Sequence, residues 1–132
     1  MAKISYQTIL TIPAGPQTNV TGEIVGDTYS KSDLILPAQT NNVPGSASIA
    51  LSAGDAKKIV AMAVTTDKDS YSKDVEFKLD AQGTALKLEA PFIVVGSAAT
   101  QLITTDPDTL VFTNKTAKSV KIEILVARNA VA

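Results

Sequence analysis

The chain of 132 residues contains no histidine, no cysteine and no tryptophan. Without histidine there is no Ser–His–Asp or Cys–His arrangement, and no side chain whose ordinary pKa suits proton transfer near neutrality. The usual zinc sites are removed as well. Without cysteine there is no disulfide framework and no thiolate metal centre, and composition leaves the redox compartment open. Aromatic residues make up only 5 %. Net charge is −1, from 12 basic and 13 acidic residues, and every basic residue except Arg128 is a lysine. The lysines are scattered and form no basic stripe, so no nucleic-acid partner is expected. Lys115, Lys118 and Lys121 read as a solvated hairpin end. The stretch "MAKISYQTILTIPAG" lacks the continuous apolar core of a signal peptide. No run approaches about 18 apolar residues, so no membrane partner is expected.

What is present suits a folded β domain. Apolar residues are 45 % and charged ones 19 %, a globular balance in a chain long enough for one core, and 1–132 reads as a single domain. Ser and Thr are abundant, and the apolar part is mainly Ala, Val, Ile and Leu, which pack well on a pleated surface. Segment 4–13 alternates Ile4, Tyr6, Thr8, Leu10 and Ile12 with mostly polar neighbours, then stops at "PAGP". A short strand is expected near 19–25. "GDTYSKSD" reads as a loop, "LILP" at 34–37 as a brief buried strand, and 38–46 as another loop. Strands are expected near 47–51 and 57–66, with a helix over 55–62 as the alternative. In "DVEFKLDAQGTALKLEA", Val75, Phe77, Leu79, Leu86 and Leu88 face the core. A four-residue loop at 80–83 sets Glu76 opposite Lys87, whereas a two-residue turn would oppose like charges. Leu110, Phe112, Val120, Ile122, Ile124 and Val126 also point inward. Eight to ten short strands with regular turn signals predict an all-β, antiparallel sandwich, jelly-roll-like or Greek key.

Chemistry-bearing motifs are sparse. The glycine-containing turns "GSAATQ" and "SAGDAKK" lack the Gly-Lys-Ser/Thr of a phosphate loop. Glu23, Glu76, Glu89 and Glu123 lie on strand patterns and read as a solvated sheet face, not as a hydrolytic carboxylate pair. Asp67, Asp69, Ser70 and Asp74 gather oxygens in one loop, but without the glycine and bidentate glutamate of a calcium loop. They read as turn residues bonding their own backbone, and "TTDPDT" at 104–109 reads the same way. No metal, no cofactor and no enzymatic activity are expected, and folding without calcium is anticipated. Tyr29 and Tyr71 occupy similar polar stretches. They read as loop anchors, with a shared carbohydrate-binding surface as the alternative.

The stretch "LKLEAPFIVVGSAATQL", residues 86–102, breaks the alternation. Phe92, Ile93, Val94 and Val95 are all apolar, and a strand apolar on both sides is covered on both. "AMAV" at 61–64 and "LIL" at 34–36 double in the same way. Pro91 demands an edge, a bend or a bulge. Continuing the Leu86–Leu88 series sends Phe92 and Val94 inward and leaves Ile93 and Val95 for a subunit or lattice interface. Ala90, Ala98 and Ala99 would let another sheet approach. The alternative is that loop 26–33 or 38–46 folds over the strand.

The short Ala/Thr/Val-rich strands, the opening "AKISYQTILTIPAG" and the closing "ATQLITTDPDTLVFTNKTAKSVKIEILVA" resemble the small all-β decoration or auxiliary capsid proteins of tailed bacteriophages. That resemblance implies a non-enzymatic virion structural protein, made in the host cytoplasm, that decorates or cements a capsid. Its partners would be the major capsid protein lattice and other copies of itself as a homo-oligomer, with a trimer favoured. The alternative function is a carbohydrate-binding or adhesive β-sandwich module.

Overall fold

In the computed structural model, which describes residues 2–26, 28–50, 59–79, 84–96 and 109–128, the alternating segments become ten strands. They are β1 (Ala2–Thr11), β2 (Gln17–Gly26), β3 (Thr28–Leu36), β4 (Gly45–Ala50), β5 (Ile59–Thr66), β6 (Val75–Lys78), β7 (Leu86–Lys87), β8 (Phe92–Val95), β9 (Thr109–Asn114) and β10 (Val120–Arg128). Two four-stranded sheets, ordered β3-β10-β5-β8 and β4-β9-β6-β7, carry the core, and β1 and β2 form a separate two-stranded ribbon. The antiparallel partnerships β3/β10, β4/β9, β5/β8 and β6/β7 nest one inside the next. That nesting is the jelly-roll wrap of one long hairpin into an antiparallel sandwich.

The core lies between the two sheets. Met62, Val64, Ile122, Ile124 and Val126 from one sheet meet Val75, Phe77, Leu110 and Phe112 from the other in one buried cluster with Leu88. The chain's three phenylalanines all converge there. Phe77 meets Phe92 edge-on at 5.2 Å between centroids and stacks with Phe112 at 5.9 Å. Offset and edge-on pairs of this kind add stability beyond their buried area.

Register follows the charge argument: Glu76 pairs with Lys87 and Phe77 with Leu86. The ion pair of Glu76, however, is with Lys115, at 3.5 Å. Residues 80–83, which make that turn, lie outside the described residues. Of the expected helix alternative, 59–62 is strand and 55–58 also lies outside.

Two segments depart from the expectations, while 38–46 is a loop as expected until β4 opens at Gly45. Residues 28–33 are not a loop but the first half of β3, hydrogen-bonded along β10 from Thr28 opposite Arg128 to Leu36 opposite Val120. The "LIL" stretch is not doubly buried, since Leu36 is buried, Leu34 half-buried and Ile35 exposed. In loop 38–46, Asn41 and Asn42 both adopt positive φ, at 51° and 63°. Thr40 and Val43 exchange both backbone hydrogen bonds around them, as in the tight turns that favour asparagine.

Asn114 shows how one buried amide organises an end of the sandwich. Its Nδ2 donates to the Pro37 carbonyl at 3.0 Å and the Lys118 carbonyl at 2.7 Å. Its Oδ1 accepts from the Thr116 backbone N–H at 2.9 Å and lies 2.6 Å from the Thr116 hydroxyl. All four capacities of the amide are met, and β3, β9 and the β9–β10 turn are pinned together.

Candidate functional site

The outer face of the β3-β10-β5-β8 sheet can be read row by row from the register. One row runs Tyr29, Ala127, Ala61, Val95, and the next Lys31, Leu125, Ala63, Ile93. Below them come Asp33, Glu123 and Thr65, then Ile35 and Lys121. The face is therefore apolar at the end nearer Val95 and charged toward Lys121.

Strand parity places the expected interface residues as the sequence suggested. Phe92 pairs with Val64 and Val94 with Met62, both core residues. Ile93 and Val95 lie on the outer face, with Ile93 54 % exposed and Val95 half-buried. Pro91 stands just before β8, an edge strand. Ala90 is exposed, and Ala98 and Ala99 lie outside the described residues.

Part of this face is covered within the chain, by neither of the loops considered. A register shift between Ala127 and Arg128 leaves Val60 as an extra residue in β5. The bulge resets the alternation, so Ile59 joins Met62 inside while Val60 and Ala61 turn outward. There they form a second buried cluster with Ala127, against which Ile4 of β1 packs. The "AMAV" doubling thus has a partner in the base of the ribbon. Neither 26–33, mostly strand on the far edge of the sheet, nor 38–46, a tight turn, was needed.

Beyond Ile4 the ribbon leaves the sandwich. Its strands pair over their full length, from Ala2 opposite Gly26 to Thr11 opposite Gln17. Tyr6 lies across from Gly22, where a side-chain Cβ would stand 2.6 Å from the tyrosine Cζ. The ring occupies the space a side chain would fill, the aromatic counterpart of a strand glycine. Toward the tip the apolar residues have no cover: Ile9 is 50 % exposed, Leu10 65 %, Ile12 59 % and Val20 47 %. Residues 4–22 contain no charged side chain. The sequence marked this segment as a strand through its alternation. It carried no signal that the strand would lie outside the sandwich.

The remaining candidates stay apart. Tyr71 is half-buried against the core, its hydroxyl oxygen accepting the Thr66 N–H at 3.2 Å, a loop anchor as expected. Tyr29 is not a loop residue; it sits on β3, 65 % exposed, at the opposite end of the sheet from Thr66 and Tyr71. Asp67, Asp69 and Asp74 are exposed. The turn is made by the Asp67 carbonyl accepting from Ser70 N–H, and the capping side chain is Ser72, whose Oγ accepts from Asp74 N–H at 3.0 Å. The aspartate side chains therefore do not close these turns. Among the described residues no three acidic groups come close enough to hold a metal ion. Glu23 lies on the ribbon and Glu89 in a bend, not a strand, while Glu76 and Glu123 belong to different sheets. Residues 104–108 of the "TTDPDT" stretch lie outside the described residues. No described helix is long and apolar enough to cross a membrane.

No family model, curated protein or solved structure matches this chain.

Proposed function

We propose that this protein is a non-enzymatic virion structural component that decorates or cements a capsid, acting as a homo-oligomer with a trimer favoured. The observation that carries the reading is the β1–β2 ribbon, an arm without a charged side chain from residue 4 to residue 22, seated on its own sandwich at Ile4 and bare at its apolar tip. A two-stranded ribbon is marginal in water, and an exposed apolar patch marks an interaction site. The jelly roll recurs in viral capsid and lectin domains, which adds support at the level of fold analogy alone.

The test is sedimentation of the purified chain with shells built from the major capsid protein of the same virus. Saturable co-sedimentation is the expected result. No binding to shells, together with glycan binding lost in Tyr29→Ala, would instead establish the carbohydrate-binding alternative, for which exposed Tyr29 is the one available aromatic platform.

A further inference from the structure

We propose that the distal half of the β1–β2 ribbon is an arm that seats on the outer face of the β3-β10-β5-β8 sheet of a second copy of this chain, against Ile93 and Leu125. The proposal deepens the oligomeric part of the function above and rests on that reading only for its expectation of a closed trimer.

The argument begins with continuity. In a strand, alternate residues share a face, so Ile4, Tyr6, Thr8 and Leu10 lie on one side of the ribbon, and the register adds Val20 opposite Thr8. At its base this side rests on Val60, Ala61 and Ala127 through Ile4. Further out the same side is bare at Leu10 and Val20. Leu10 stands six residue steps along the strand from Ile4, so the bare part reaches about 20 Å past the seated part. A face that already fits this sheet thus continues beyond its own copy.

The landing site is the adjacent row. Ile93, Ala63 and Leu125 follow one another across three strands without a charge until Lys31 at the far edge. Ile93 is more than half exposed. A second copy presents this same surface next to the one Ile4 already fits. On this side Leu10 is 65 % and Val20 47 % exposed, and a bare apolar patch on an otherwise seated face marks an interaction site. The absence of charge from residue 4 to 22 disfavours a highly charged partner. Beyond Lys3 and Glu23 at the base, both ribbon edges also lack the lysines and inward charges that guard solvent-exposed strands from pairing. Arm on sheet is a head-to-tail contact, which closes into a ring when the rotation permits.

The absence of cysteine makes the test direct. Leu10→Cys and Ile93→Cys are made separately, with tags of different mass, mixed in free solution and mildly oxidised. Both positions are largely exposed, and circular dichroism checks that the β spectrum is kept. A mixed disulfide between the Leu10→Cys and Ile93→Cys chains is expected, and Leu10→Lys with Val20→Lys should lower the mass by light scattering to that of one chain. Disulfides only between two Leu10→Cys chains would mean that ribbons meet tip to tip, which overturns the proposal. No cross-link, with a monomer mass at high micromolar concentration, overturns it too. Chains that cross-link but do not pellet with shells keep the arm and lose the capsid reading; the opposite pair of results loses the arm alone.

Discussion

At the level of single residues, two positions resist substitution for opposite reasons. Gly45 opens β4 with its Cα against the backbone of β3's exit, where an added Cβ would stand 2.6 Å from the Pro37 carbonyl carbon and closer still to its oxygen. Backbone cannot swing aside as a side chain does, so Gly45→Ala is expected to cost about 2 kcal/mol or more, read as a lowered midpoint in urea with an unchanged slope. Asn114 is irreplaceable for its bonds. Asn114→Ala would leave the Pro37 and Lys118 carbonyls and the Thr116 N–H to find other partners, at about 3 kcal/mol. Thermal unfolding should show a fall in Tm of about 10 °C. Neither effect was visible in the sequence. "PGS" reads as a turn and "TNKTAK" as a hairpin end, and nothing in either says that their backbones meet.

Between strands, cross-strand pairs decided which parts of the fold were readable. Glu76 opposite Lys87 was legible because, of a four-residue loop and a two-residue turn, only the first avoids opposing like charges. The inward series of β9 and β10 was legible because Leu110, Phe112, Val120, Ile122, Ile124 and Val126 alternate without interruption. β3 was not. Its inward positions begin with Ser30 and Ser32, facing Val126 and Ile124, so half the strand lacks the apolar alternation that announces a sheet. As an edge strand it needs less burial, and small polar side chains suffice there. Its outer face also carries a conflict, Asp33 directly opposite Glu123. Opposed like charges destabilise a sheet, so Asp33→Lys, which makes the pair attractive, should raise stability by about 0.5 kcal/mol. Chemical denaturation at low and high salt checks the cause, because the gain should shrink as salt screens it.

For the whole molecule, parity placed Ile93 and Val95 correctly, but the sequence did not reveal that β1 would cover part of the same face. The two residues are therefore not equivalent. Ile93→Lys is expected to keep the β spectrum and weaken self-association, measured by light scattering beside circular dichroism. Val95→Lys should lower Tm as well, since Val95 pairs with Ala61 beneath Ile4. If both variants unfold outright, Ile93 supports the fold itself and its interface role fails. The nested pairing also sets an order of events during synthesis. β6 and β7 are neighbours in sequence, whereas β3 must wait for β10, the last of the described strands to be made. Contacts so distant in sequence close slowly. Until they close, a nascent chain displays its finished ribbon, a purely local hairpin, above a sheet whose edge is still open. On a crowded polysome that interval exposes the ribbon to premature pairing with its neighbours, so the yield of native protein should fall with expression rate more steeply than stability alone would dictate.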